Sequence, residues 1–213
     1  MDSFHHITVF EDNLSNFSNI KKTPCLFLDR DGVLIKECHY LSNPNDVKLE
    51  MGGLELIRKA FFFQWKVVII TNQSGIERGL FTWKDYEKVT SRMKALIGYP
   101  MPLTAIYANG YARNSTKNTW RKPNPLMLLE ASKNLGIDLS RSYLIGDRLT
   151  DLIAGARAGV KSVFHVMTGH GANERNSVVS RISSNGLFNG ETYQPSVFLL
   201  ESLNDFDYTN LIN

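Results

Sequence analysis

Two carboxylates one residue apart, Asp29 and Asp31, close the apolar run Cys25-Leu26-Phe27-Leu28 and are followed at once by Gly32. In an extended segment such residues project to the same side, about 7 Å apart at their Cα atoms. Two acids that close repel unless a proton or a cation lies between them. A hard divalent cation such as Mg²⁺ meets that need, because it takes carboxylates, carbonyls and waters as ligands. Gly32 lets the backbone turn away tightly after the pair. Comparable polar groups recur along the chain. Thr71 ends the run Val67-Val68-Ile69-Ile70, Lys122 precedes a proline-marked helix start, and Asp147 ends Ser142–Gly146, with Asp151 one helical turn on. Acids, a metal, a hydroxyl and an ammonium together make a site for a phosphoryl group, with a carboxylate to attack it.

These groups can meet only if the elements bearing them end on one side. The run Cys25–Leu28 shows no alternation, which suits a strand buried on both faces of a parallel sheet. Further strands are predicted at 67–71, 104–108, 142–147, 163–166 and 197–200. Helices are predicted after Gly52-Gly53 (Leu54, Ile57, Ala60 and Phe61 on one face), from the Thr82/Asp85 capping box to Ile97, over 126–135, and over 149–158 with Gly159 as stop. Alternating strands and helices give an α/β fold with a doubly wound parallel sheet, in which all strand C-termini share one edge. Residues 1–23 read as an N-terminal extension in which Ile7–Phe10 could add a short strand, and 24–213 as a single domain. The Ser/Asn/Gly-rich stretch 173–194 reads as loop, a short helix ends the chain, and Phe61-Phe62-Phe63 reads as packing.

With 213 residues, 43% of them hydrophobic and 21% charged, the chain is an ordinary soluble domain in composition. A formal charge of +3 is too mild to indicate a nucleic-acid partner. Two cysteines, one opening a core strand, point to a reducing compartment, and no apolar run reaches the length of a membrane span. A cytoplasmic protein, monomeric and without a membrane partner, is expected.

At this point the chain resembles the haloacid dehalogenase superfamily of phosphatases. Asp29-Arg30-Asp31-Gly32 matches the first motif of that superfamily, Thr71 the second, Lys122 the third, and Gly146-Asp147 with Asp151 the fourth. The phrases Thr71-Asn72-Gln73-Ser74-Gly75-Ile76, Arg78-Gly79, Arg121-Lys122-Pro123 and Thr168-Gly169-x-Gly171 are similar to those of its D,D-heptose bisphosphate phosphatase and histidinol-phosphatase branch. The resemblance covers about residues 24–205. It implies that Asp29 is the nucleophile, forming an aspartyl-phosphate, and that Asp31 is the acid/base. It implies Mg²⁺ held by the Asp29 and Asp147 carboxylates and the Asp31 carbonyl, with Asp151 behind them. Thr71, Asn72, Gln73, Ser74 and Lys122 then lie around the transferred phosphate. With no large insertion between the motifs, the enzyme is capless and its entrance is shaped by loops.

One segment departs from the branch, which commonly carries a structural zinc on Cys and His ligands in the loop before the third motif. Residues 109–120 contain neither residue, so no zinc is expected. The same loop gathers Arg113, Lys117, Arg121 and Lys122 with no acid before Leu129, and reads either as a solvated loop or as a dock for a second anionic group. His39 and Tyr40 stand where relatives contact substrate, with plain packing as the other reading. Arg148 faces either phosphate or solvent. His165 and His170 read as structural and His5-His6 as surface. The expected reaction is phosphate release from a small phosphorylated sugar, first of all D-glycero-D-manno-heptose 1,7-bisphosphate, giving heptose 1-phosphate. Histidinol-phosphate phosphatase, polynucleotide 3′-phosphatase and a non-catalytic phospho-acceptor module are the alternatives.

Overall fold

The computed structural model describes residues 4–10, 22–114 and 120–212. Among them seven strands form one sheet: β1 (His5–Val9), β2 (Cys25–Leu28), β3 (Lys66–Asn72), β4 (Ala105–Asn109), β5 (Tyr143–Gly146), β6 (Ser162–Val166) and β7 (Ser196–Leu200). Their order is β1-β4-β3-β2-β5-β6-β7, so β2 lies at the centre between β3 and β5. Every pairing is parallel except β1 on β4. The helices are α1 (Gly53–Phe62), α2 (Trp83–Ile97), α3 (Leu126–Leu135), α4 (Leu149–Ala158) and α5 (Gly171–Val179).

The unbroken apolar runs have the expected cause. Along β2, Leu26 and Leu28 enter a core layer with Leu56, Ile57, Val89 and Met93 of α1 and α2. Cys25 and Phe27 enter the opposite layer with Met127, Leu128, Ala131 and Leu152 of α3 and α4. Both faces of the strand are therefore covered, and only its C-terminal end is free to carry polar chemistry. The α2 capping box forms as predicted: the Asp85 N–H donates to Thr82 Oγ1 at 3.3 Å and the Thr82 N–H to Asp85 Oδ2 at 3.2 Å. Between β2 and β3 the regular elements are α1 and one short 3₁₀ turn, and between β3 and β4 only α2 intervenes, so among the described residues no cap domain stands over the sheet edge.

Three expectations need correction. The 173–194 stretch is not all loop, since α5 occupies its first part. This helix buries only Gly171 and Val178, so it lacks the apolar stripe that periodicity detects. Phe62 is not packed; it is 76% exposed on the outer face of α1. The C-terminus forms two single 3₁₀ turns, Leu203–Asp205 and Tyr208–Leu211, rather than a helix. No helix among the described residues is long and apolar enough to cross a membrane.

Candidate active site

The parallel strands deliver the candidate residues to one edge. Asp29 directly follows β2, and its N–H still donates to Ile145 O of β5 at 3.0 Å, which fixes the first acid to the sheet. Thr71 and Asn72 end β3 and Asp147 follows β5.

Lys122 is the hub. Its buried ammonium lies 2.9 Å from Asp29 Oδ1 and 2.7 Å from Asp151 Oδ1, and it donates to Ile70 O at 2.8 Å. Burial works against the charged form, but Asp151 and Asp29 outweigh it and hold the pKa above the ordinary lysine value. The Lys122 backbone is clamped separately. Its N–H donates to Asn72 Oδ1 at 3.1 Å, and Asn72 Nδ2 donates to its carbonyl at 3.2 Å. The Asn72 amide, expected at the phosphate, is thus turned to the Lys122 backbone.

Carboxylate oxygens of Asp29, Asp147 and Asp151 lie within 4.8 Å of one another. Burial raises the Asp29 pKa, Lys122 pulls it back, and Asp151 and Asp31 add repulsion, leaving it at about 7. Asp147 is pushed to about 8, chiefly by burial and then by Asp151 and Asp29. Both Asp151 oxygens are engaged, one by Lys122 and the other by the Arg148 N–H at 3.0 Å. Asp147 Oδ2 accepts from the His170 N–H at 2.7 Å, whereas Oδ1 is buried without a hydrogen-bond partner among the described residues. Three acids against one ammonium, with a buried oxygen to spare, fit a divalent cation. The backbone makes room for this cluster. Gly32 (φ +81°) and Gly169 (φ +57°) pass so close that a Cβ on either would collide with Asp147 Oδ2, and Thr168 Oγ1 ties the two loops by donating to Gly32 O at 2.6 Å.

Asp31 is held by partners other than the three acids. Arg30 grips it twice, Nε to Oδ2 at 3.1 Å and Nη2 to Oδ1 at 3.0 Å, and Gln73 Nε2 donates to Oδ2 at 2.8 Å. The same Gln73 nitrogen donates to Thr71 Oγ1 at 2.8 Å, so the threonine hydroxyl keeps its own proton to give elsewhere. Gln73, expected near phosphate, therefore orients the acid and the hydroxyl. Arg30, named in the first motif, has no role read from the sequence; it is fully buried with its guanidinium over the Tyr86 ring at 5.1 Å. His165 also has a supporting part. Its Nδ1 accepts from Arg175 Nε at 3.0 Å, so Nε2 carries the proton and donates to Asp147 O at 3.0 Å.

A second charged group rims the site. Burial lowers the Arg121 pKa, and the positive charges of Arg78, Arg148 and Arg113 lower it further by repulsion. Arg121 Nη1 donates to Tyr111 O at 3.2 Å. Arg78 Nη1 donates to Tyr40 OH at 2.6 Å and lies over that ring, while His39 is exposed with its ring 4.6 Å from Tyr40's. Ser74 is half-buried and opens the turn after Gln73. Lys117 lies outside the described residues. His5 and His6 are not plain surface residues: they are half-buried and stack on Trp120 and Trp83.

Comparison with known proteins agrees with this geometry. Residues 119–182 match the HAD-hydrolase-like family. A D-glycero-beta-D-manno-heptose-1,7-bisphosphate 7-phosphatase from Helicobacter pylori is 37% identical over 147 residues, 67% of this chain and 83% of the relative. A D-glycero-alpha-D-manno-heptose-1,7-bisphosphate 7-phosphatase from Photorhabdus laumondii is 34% identical over 78% of this chain and 94% of its own length. The chain belongs to the haloacid dehalogenase superfamily of phosphatases. As a member it is a phosphoric monoester hydrolase. Its fold also matches a solved superfamily structure, the D,D-heptose 1,7-bisphosphate phosphatase from B. bronchiseptica complexed with magnesium and phosphate. That match has a TM-score of 0.71 and 27% identity, over 85% of this chain and 94% of the other.

Proposed function

We propose that this chain is a Mg²⁺-dependent, cytoplasmic phosphatase that removes the 7-phosphate of D-glycero-D-manno-heptose 1,7-bisphosphate, leaving heptose 1-phosphate. The observation that carries the choice of a bisphosphate is the likeness to heptose-1,7-bisphosphate 7-phosphatases at 37% and 34% identity, and the positive charge that Arg78, Arg148 and Arg113 exert on Arg121 fits it. One phosphoryl group is already provided for by Lys122 and Thr71, so further guanidinium charge answers to a further anion. The named relatives, of both beta and alpha type, act on substrates of this kind.

In the proposed reaction an Asp29 oxygen attacks phosphorus and the bond to the sugar oxygen breaks, giving an aspartyl-phosphate. Asp31, aimed by Arg30 and Gln73, gives its proton to the leaving sugar alkoxide. It then takes a proton from the water that hydrolyses the acyl phosphate, which frees Asp29. Lys122 balances charge at Asp29, and the Thr71 hydroxyl proton is available to a phosphate oxygen. Asp29 and Asp147, with the Asp31 carbonyl, would hold Mg²⁺, and Asp151 would act through Lys122. Mg²⁺ bound there supplies charge neutralisation at the phosphate and keeps the buried acids ionised. We propose no structural zinc for the 109–120 loop, which has neither Cys nor His.

The test is phosphate release, with Mg²⁺, from the heptose bisphosphate, heptose 7-phosphate and histidinol phosphate. The expected result is a kcat/KM for the bisphosphate at least about tenfold above the other two, the worth of one charged contact. Equal or better turnover of histidinol phosphate would overturn the substrate assignment.

A further inference from the structure

The arginine loop leaves the sheet at Asn109-Gly110 and returns at Trp120-Arg121-Lys122, and the N-terminal strand meets both ends of it. His5 pairs with Asn109 in the antiparallel ladder of β1 on β4, and the Gly110 N–H donates to Phe4 O at 2.7 Å. A Cβ at Gly110 would press on that carbonyl and on Trp83, so the loop leaves the sheet through a space only glycine fits. The Phe4 ring lies 4.8 Å from Tyr111, at the loop's outgoing end. The His5 ring stands edge-on to Tyr111 at 5.5 Å and stacks on Trp120, at the returning end, at 4.3 Å with 14° between planes. His5 is thus a wedge shared by the two ends, and both of its aromatic neighbours are buried. Arg121 follows Trp120 directly and donates to the Tyr111 carbonyl, and between them Phe4 and His5 touch both of those residues.

Lys122, the next residue, is held differently. Asn72 clamps its backbone, and Ile70 O, Asp29 and Asp151 fix its ammonium. None of these partners belongs to β1. Two adjacent residues therefore have separate anchors, one at the sheet centre and one at its edge.

We infer that the N-terminal strand, through Phe4 and His5, is a positioning element for Arg121, and so sets how the enzyme grips the second phosphate of its substrate. The inference rests on the bisphosphate reading above. An edge strand kept only to cover the sheet would need its backbone and its inward side chains, not aromatic rings aimed at a loop.

The experiment measures kcat and KM of the 213-residue chain for heptose bisphosphate and for p-nitrophenyl phosphate in wild type, His5→Ala, His5→Phe, Arg121→Ala and His5→Ala/Arg121→Ala. Losing one stacked pair predicts a KM for the bisphosphate raised about 3- to 10-fold in His5→Ala. Turnover of p-nitrophenyl phosphate is expected to stay within about twofold. His5→Phe, which restores a stacking ring, recovers most of the loss, and in the Arg121→Ala background His5→Ala costs nothing more. If His5→Ala does not fold, His5→Leu keeps the bulk without the flat ring and is expected to give the same split. Equal losses on both substrates, or no loss while Arg121→Ala is impaired on the bisphosphate, overturn the positioning role and leave the bisphosphate reading intact. An Arg121→Ala enzyme with no selective loss overturns that reading, and this inference with it.

Discussion

The transfer centre and the arginine rim are built on opposite plans. At the centre, Asp29, Lys122, Asp147 and Asp151 are almost wholly buried, and the Lys122 ammonium meets Asp29 and Asp151 within 3 Å. At the rim, like charges gather. Arg78, Arg113 and Arg148 are exposed, and Arg121 is half-buried among them. The centre is preorganised before substrate arrives, which is what stabilising a developing charge requires. At Arg121 the neighbouring positive charges repel, and in the proposed function an anion bound there would relieve that repulsion. Chemistry and selection can therefore be damaged separately.

The sharpest break is at the nucleophile. Asp29→Asn keeps the shape of the centre and removes the attacking oxygen's charge, so kcat is expected to fall at least about 10³-fold with Tm little changed. Near-normal turnover in that variant would sink the covalent mechanism. Arg121→Ala comes next, with kcat/KM for a bisphosphate down about 10- to 100-fold and a monophosphate affected much less. Equal losses would move Arg121 from the rim to the centre.

The smallest effect is on stability, and it depends on metal. Without Mg²⁺, Asp29 at about 7 and Asp147 at about 8 hold protons that an unfolded chain releases near pH 4. The folded state then binds more protons across that interval, so stability is greatest at the acid end and is lost as pH rises through about 7 to 8. Melting in chelator is expected to occur at progressively lower temperature from pH 5 to pH 8, and saturating Mg²⁺ to flatten that slope. A chelated protein whose Tm does not change over this range would contradict the picture of crowded, uncompensated acids. Elemental analysis of the same samples is expected to find no zinc.

Much of the centre was legible because the apolar runs of β2, β3 and β5 lead straight into polar residues. That punctuation picks out Asp29, Asp31, Thr71 and Asp147 and puts them on a common edge. Arg30 was not legible, since a cation between two acids reads as a solvated spacer. Its burial depends on Tyr86, a residue of α2 far along the chain. The parts of Asn72 and Gln73 were hidden for a similar reason: an amide beside a phosphate motif suggests phosphate, and only the fold turns it to Lys122 or Asp31. The His5–Trp120 stack joins residues with no local pattern in common, so nothing in either segment announces the other. Helix α5 escaped because its burial is confined to Gly171 and Val178.

The Thr168–Gly32 tie has a consequence for how the enzyme comes into being. Every side chain assigned to chemistry lies at or before Asp151, yet Gly169, Thr168 and the His170 N–H that close over Asp147 come later in the chain. The two loops are 136 residues apart, and β5 must first settle against β2 at the middle of the sheet. Contacts of such long range are slow to form and are gained late in folding. A nascent chain still lacking its sixth strand would carry the whole catalytic set without the Thr168–Gly32 tie or the His170 N–H on Asp147. Closure over Asp147 therefore waits on residues made after every group of the transfer centre.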